Sequence, residues 1–415
     1  MLNEQHIDIY NNIKLLQNST KPFKELYPLI DKELNKLRVP HNQHTILITQ
    51  LNGIGDLLLI SGFIKNIRYN FPNSLILLAC NGFRKNIYEN CPYINKIIPC
   101  YTYDINLSAL YNVILNLCLN ELWQYSIDLA INTHWGQTGT QASFINWLSG
   151  AKERIGFPLN PEQQYFKSKY TTDYWAEDDD YSQILTKTIN PPREIIHDVD
   201  RKYWLLSANN WKIYDKKMEI WLNDEDYIPL NITNKKIIIG LGASINTKKY
   251  PIRKLSKALA KINELDDITF ILAGDNNEIV DAEYLINKNS NIKFINYCNK
   301  LTIKQIASII KQSDLYIGND TCLVHIAKIY DLPTISVICE SKDVCNEEGF
   351  EAISSYLRFK PWQMDCKHQS IVLRPEHALP ECKNSKVHAG CFKLESHCIA
   401  QITPDEIVEA YKNIK

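Results

Sequence analysis

An excess of charge of either sign is missing from this 415-residue chain: 46 Lys and Arg stand against 47 Asp and Glu, a formal net charge of −1. That balance argues against a nucleic-acid partner or a membrane-surface role carried by bulk electrostatics. Long hydrophobic runs are missing too, since no stretch approaches the ~18 uncharged apolar residues that a membrane span requires. The start, Met1-Leu2-Asn3-Glu4-Gln5-His6, has no basic segment leading into an apolar core. The expectation is a cytoplasmic protein without a transmembrane segment. A disulfide framework is not expected either, because 12 cysteines in a reducing compartment stay as thiols. Eight of them are scattered, many in or beside apolar runs (Cys80, Cys118, Cys339), and read as small core residues.

What the chain does have is length enough for two cores of roughly 200 residues each and a rhythm that repeats. Residues 1–42 carry apolar positions at helical spacing (Ile9, Ile13, Leu16, then Leu26, Ile30, Leu34, Leu37) and read as a helical N-terminal extension, a packing or assembly appendage. From Thr45 short apolar strands alternate with helices: strands at 45–50, 74–80, 96–99 and 127–132, helices at 57–70, 83–90 and 111–125. Continuous apolar strands joined by helices imply parallel pairing through right-handed crossovers. Between Trp135 and Asn190 the pattern weakens, and 165–182 reads as a long surface loop. A helical pattern from Ile196 to Leu206 leads into the second half, which repeats the alternation with strands at 236–240, 268–273, 292–296, 314–317 and 334–338. The fold class is α/β, with Rossmann-like domains over 43–200 and 201–415 and a Cys-rich tail near 360–400. Two such domains would leave a cleft between facing strand ends, suited to a nucleotide-bearing donor and an acceptor.

The candidate chemistry lies at the turns after strands, where helix N–H groups and strand ends converge. Asn52-Gly53-Ile54-Gly55-Asp56 follows the first strand. It lacks the third glycine of a dinucleotide fingerprint, but its glycines permit close backbone approach and Asp56 projects from a helix start, where a capping role is the alternative. Gly242-Ala243-Ser244 with Thr247-Lys248-Lys249-Tyr250-Pro251 opens the second domain, and small residues, hydroxyls and lysines there suit a diphosphate. Gly274-Asp275 and Asn299-Lys300-Leu301-Thr302 would line the same rim. Asn319-Asp320-Thr321 with His325 forms a third strand-to-helix turn; there too Asp320 as a helix cap is the alternative.

Together these motifs resemble glycosyltransferase family 9, the ADP-heptose heptosyltransferases. The likeness rests on Gly53-Ile54-Gly55-Asp56-Leu57, Pro92-Tyr93-Ile94-Asn95-Lys96-Ile97-Ile98-Pro99, His197-Asp198-Val199-Asp200-Arg201, Gly242-Ala243-Ser244 with Lys248-Lys249-Tyr250-Pro251, and Gly318-Asn319-Asp320-Thr321 with His325-Ile326-Ala327. A closing stretch from Cys398 to Glu406 completes it. The resemblance implies a GT-B fold of two facing Rossmann-like domains, an inverting transfer of heptose from ADP-heptose to a hydroxyl, and no metal at the diphosphate. It implies Asp56 as general base on an acceptor-side loop with Asn52, Gly53 and Gly55. It also implies Lys248 at the departing diphosphate, and donor binding by Gly242, Ser244, Thr247, Lys248, Asp320, Thr321 and His325. Cys322 stands where the family usually has glycine.

Cys366, Cys382, Cys391 and Cys398 crowd a polar, turn-rich tail together with His368, His377, His388 and His397. Four thiolates fit a tetrahedral structural iron or zinc ion, although no tight Cys-x-x-Cys pair is present. A branch of the family that modifies bacterial autotransporter proteins is similar in having a four-cysteine iron site near its C-terminus. That likeness favours a protein Ser/Thr acceptor over a lipopolysaccharide core sugar, with a homo-oligomer as a further expectation. The alternative readings are a GT-B-fold sugar-nucleotide 2-epimerase and a non-catalytic nucleotide-sugar-binding protein.

Overall fold

The computed structural model describes residues 3–102, 107–135, 139–158, 181–343, 354–362, 367–379 and 397–414. The chain divides into two units, one formed by residues 1–195 and 200–216, the other by 196–199 and 217–415. Each is built on a six-stranded sheet whose neighbouring strands all pair parallel. In the first unit the strands are β1 (Thr45–Gln50), β2 (Leu75–Asn81), β3 (Lys96–Cys100), β4 (Leu129–Asn132), β5 (Glu153–Gly156) and β6 (Lys187–Thr188), in the order β3-β2-β1-β4-β5-β6. The second has β7 (Lys235–Gly240), β8 (Ile268–Ala273), β9 (Lys293–Asn296), β10 (Leu315–Asn319), β11 (Thr334–Val337) and β12 (Ser370–Leu373), in the order β12-β11-β10-β7-β8-β9. Counted from its own first strand, each sheet runs 3-2-1-4-5-6, so the order reverses between β1 and β4 in one and between β7 and β10 in the other. Ligands of open parallel sheets bind at the carboxyl ends of strands beside that reversal.

The central strands are apolar because both faces are covered. Every residue of β1 and β8 is buried, as a strand between two helical layers requires. Register brings Ile46 beside Ile76 and Leu129, and Ile237 beside Leu315 and Phe270.

Several elements differ from the sequence expectation, each for a physical reason. The N-terminal helices, Glu4–Gln17 and Phe23–Leu34, are part of the first core rather than an appendage to it. Ile9, Ile13, Phe23, Ile30 and Leu34 share one buried cluster with Leu115, Cys118, Phe144 and Trp147. Arg154, 2% exposed, ties them further: its guanidinium donates to Tyr27 Oη at 2.9 Å and to the carbonyls of Ile184 and Ala151, with Asp31 at 3.7 Å. The stretch after Trp135, where periodicity fades, holds the helix Gly139–Leu148 and then β5. That helix hides from a period search because every residue but Gln141 is buried, Thr140, Ser143 and Asn146 included. Asn132 Nδ2 donates to Ser143 Oγ at 2.8 Å, and Thr49 Oγ1 to Asn146 Oδ1 at 2.5 Å. The helix expected over 57–70 is two helices, Ile54–Leu59 and Ser61–Asn70, parted at Ile60. The one expected over 111–125 is the helix Leu107–Leu117 continued by the π-helical turn Cys118–Leu122. The loop expected over 165–182 lies, up to residue 180, outside the described residues.

Candidate functional site

In the first unit β1 delivers the chain to the turn that carries Asp56. Gly53 is the N-cap of the helix Ile54–Leu59 and supplies no side-chain cap, so Asp56 sits in the first turn with its carboxylate half-buried. A negative group is favoured there by the exposed helix N–H groups. Asn52 Nδ2 lies 3.4 Å from Asp56 Oδ1, and Asn52 N donates to Gln50 Oε1 at 3.3 Å. Behind the turn is a buried polar network from the end of β4. Gln50 Nε2 donates to Thr133 Oγ1 at 3.2 Å, and Leu51 N donates to His134 Nε2 at 2.8 Å. An acceptor at Nε2 makes His134 a neutral imidazole protonated on Nδ1. His134, 2% exposed, thereby fixes the first residue beyond β1.

In the second unit three turns converge at the carboxyl ends of β7, β8 and β10. The segment after β7 runs through Gly242, Ser244 and the 3-10 turn Asn246–Lys248 to Tyr250. Its two lysines part ways. Lys249 Nζ is ion-paired to Glu278 Oε1, a carboxylate only 3% exposed, with Asp281 at 4.0 Å. Glu278 Oε2 also accepts from Asp275 N at 2.9 Å. Glu278 packs on two glycines: at Gly274 a Cβ would stand 2.6 Å from Glu278 Cβ, too close to be accommodated, and at Gly242 it would make a tight 3.3 Å contact with Glu278 Oε2. Lys248, by contrast, has no carboxylate within ion-pair distance among the described residues.

Asp320 follows β10. It is not the cap of the helix Cys322–Ile329; that role belongs to Thr321, whose Oγ1 accepts from Leu323 N at 3.2 Å. No hydrogen bond among the described residues reaches the Asp320 carboxylate. Burial pushes its pKa up to about 6, opposed by the positive charge of Lys248 and reinforced by the negative charge of Glu340. One turn on, His325 is 4% exposed and its Nδ1 has no hydrogen-bond partner among the described residues. Burial takes its pKa down to about 4, helped by neighbouring His197 and opposed by Asp198, so the ring is neutral at pH 7. His197 itself is held between Lys360 O at 2.9 Å and Val199 N at 3.2 Å. Thr247 Oγ1 is a second buried polar atom without a partner among the described residues. Ser244 is exposed on the same segment.

The structure thus brings together Gly242, Thr247, Lys248, Asp320, Thr321 and His325 within one unit, and sets Asn52, Gly53, Gly55 and Asp56 on one turn of the other. Sequence reasoning assigned no role to Asn319, Glu278, Glu340 or His134. Glu340, beyond β11, accepts from Ser355 N at 2.7 Å and lies 3.6 Å from Arg374. The available signal was an amide closing an apolar run, as Gln50 closes β1, Asn132 closes β4 and Asn319 closes β10. Of the four tail cysteines only Cys398 lies within the described residues, 8% exposed with Sγ 3.0 Å from His397 Nδ1; Cys366, Cys382 and Cys391 lie outside them.

Comparison with known proteins decides the family: the profile of glycosyltransferase family 9 (heptosyltransferase) matches residues 121–347, more than half of the chain. The chain belongs to glycosyltransferase family 9. It is therefore a glycosyltransferase. It is 25% identical over 301 residues to lipooligosaccharide heptosyltransferase 2 of Campylobacter jejuni subsp. jejuni serotype O:2, a match that covers 71% of this chain and 81% of that one. Its fold is similar to that of the glycosyl transferase family 9 protein from Veillonella parvula DSM 2008, with a TM-score of 0.63 at 15% identity over 90% of this chain and 98% of that one. It is also similar to E. coli ADP-heptose lps heptosyltransferase II, with a TM-score of 0.58 at 13% identity over 89% and 97%. Two Rossmann units on one chain and these neighbours make the fold GT-B.

Proposed function

We propose that this family 9 enzyme transfers heptose from ADP-heptose to a hydroxyl acceptor with inversion at the anomeric carbon. The observation that carries the reading is the pair of uncommitted charges in the second unit. Among the described residues Lys248 has no carboxylate within ion-pair distance and the Asp320 carboxylate accepts no hydrogen bond, although beside Lys248 Lys249 is consumed by Glu278. Buried or half-buried charges are normally satisfied within the protein. Here a cation and an acceptor oxygen are left for a ligand that carries both phosphate and hydroxyl groups.

In this reading Asp56, ionised, takes the proton of the acceptor hydroxyl as its oxygen attacks the anomeric carbon. The bond to the diphosphate breaks on the opposite face, and the electron pair leaves with ADP. Lys248 and the N–H groups at the start of the helix Cys322–Ile329 stabilise the charge that grows on the diphosphate. Asp320 accepts from sugar hydroxyls, and neutral His325 offers Nδ1 to the same ligand. A cytoplasmic location is part of the same reading. The relatives' lipooligosaccharide and lipopolysaccharide substrates favour a core-sugar acceptor, whereas the tail cysteines favour protein Ser/Thr. For a structural metal in that tail the support is the sequence pattern alone.

The test is ADP release from ADP-heptose by the purified protein, alone, with lipopolysaccharide core acceptor, and with Ser/Thr peptides. Acceptor-dependent ADP release is expected. A protein that binds neither ADP nor ADP-heptose would overturn the reading.

A further inference from the structure

In both units a side chain at or within two residues of the end of the fourth strand reaches across to hold the segment leaving the first. In one, His134 accepts from Leu51 N. In the other, the side chain of Asn319, at the end of β10 and 4% exposed, makes three hydrogen bonds to the segment leaving β7. Asn319 Nδ2 donates to Leu241 O at 2.8 Å and to Gly242 O at 3.2 Å, and Asn319 Oδ1 accepts from Tyr250 N at 2.8 Å. Leu241 and Gly242 open the loop that carries Lys248, and Tyr250 closes it. The same residue's carbonyl accepts from Tyr316 Oη at 2.8 Å, fixing the backbone one residue before Asp320. The amide cannot be turned over: exchanging O and N would face one carbonyl oxygen with two others and one N–H with another.

We infer that Asn319 is a positioning residue for transfer, its amide pinning both ends of the Lys248 loop to the turn that carries Asp320. This rests on the functional reading above, in which Lys248 meets the diphosphate. Both atoms of the Asn319 amide are used on the loop, so in this reading it acts through Lys248 and not on the donor or acceptor. The loop 241–250, tied at both ends, keeps the ammonium at a fixed place relative to Asp320, which is what stabilising charge at one departing oxygen demands. Asp at 319 would keep the bond from Tyr250 N and set an oxygen against two carbonyls, so that the start of the loop is pushed away. Ser would be too short to span both ends.

The experiment is a double-mutant cycle on Asn319→Asp and Lys248→Met, read by ADP release and by the Kd for ADP, with Asn319→Ser as a gentler companion. Asn319→Asp is expected to lower kcat about 100-fold and raise the donor KM by about 10-fold or less, since most of the lost stabilisation develops in the transition state. Asn319→Ser should fall between parent and Asn319→Asp. In the Lys248→Met background either change should cost less than about 3-fold more, because the cation it positions is gone. A residue that merely stabilises the fold would give losses that multiply across the cycle. Multiplying losses, or Asn319→Asp and Asn319→Ser kinetics within twofold of the parent, would overturn the inference. A parent that binds ADP but releases none from ADP-heptose would overturn the functional reading instead, and the cycle in Kd would still decide Asn319. A parent with no ADP affinity would overturn both.

Discussion

Lys248 and Lys249 are adjacent, share a charge and share a loop, yet of the two only Lys249 is ion-paired among the described residues, and on the functional reading proposed above exchanging each for Met should separate stability from catalysis. Lys249 Nζ neutralises Glu278, whose side chain is 3% exposed and whose other oxygen accepts from Asp275 N. Removing one partner of a buried pair costs about 3–5 kcal/mol because a charge is left behind. The retained Asp275 contact, and a Lys249 side chain that is 17% exposed, place Lys249→Met at the low end, about 3 kcal/mol. For a unit of ~200 residues that is a fall in Tm of roughly 6–12 °C. Removing both charges in Lys249→Met/Glu278→Leu should return stability to within about 1 kcal/mol of the parent. Lys248→Met breaks no ion pair but removes the positive charge that opposes the burial of Asp320, so it should cost about 1 kcal/mol, well short of Lys249→Met, while ADP release falls about 100- to 1,000-fold. Urea and thermal unfolding beside the ADP-release assay reads both quantities. The reasoning fails if Lys248→Met destabilises as much as Lys249→Met, or if Lys249→Met costs less than about 1 kcal/mol.

Three further outcomes are expected. Asp320 has a folded-state pKa raised to about 6, so the native protein binds a proton more readily than the unfolded chain. Its ionised form is a cost at pH 8 that is relieved as pH falls through 6 towards 4. Asp320→Asn should therefore be more stable than the parent at pH 8, by on the order of 2–3 kcal/mol, and equal to it near pH 4, although its donor affinity falls; denaturation at a series of pH values reads this. Leu34→Ala, in the N-terminal helix pair, should destabilise the first unit by about 2–5 kcal/mol, as a core truncation does. A surface appendage would lose less than about 0.5 kcal/mol in the same urea titration. His134→Leu removes the acceptor for Leu51 N and leaves that buried N–H unpaired, so kcat should fall while the donor Kd stays within twofold, a split read by steady-state kinetics beside calorimetry.

How much of this was legible in the sequence follows from what each element buries against. β1, β7, β8 and β10 were readable because a strand covered on both faces is an unbroken apolar run, and the turns bearing Asp56, Lys248 and Asp320 follow from where those runs stop. The helix Gly139–Leu148 was not, because Thr140, Ser143 and Asn146 are buried with it and two of them hydrogen-bond to Asn132 and Thr49 from neighbouring strands. β12, four half-buried residues at the sheet edge, carries too little apolar signal to stand out. The integration of residues 4–37 depends on Arg154 and Trp147, more than a hundred positions away, and no local pattern reports a distant partner. The same holds for Asn319 and His134, since their bonds exist only because strands far apart in sequence lie side by side. That Lys249 rather than Lys248 is ion-paired needed the position of Glu278.

The most direct test of the account is a comparison of Asp56→Asn with the parent under single-turnover conditions, with saturating acceptor and with the Kd for ADP-heptose measured on both. Asp56→Asn keeps size and polarity and removes only the ability to take a proton. The account predicts unchanged donor affinity with ADP release slowed about 100- to 10,000-fold. ADP release at the parental rate would contradict it.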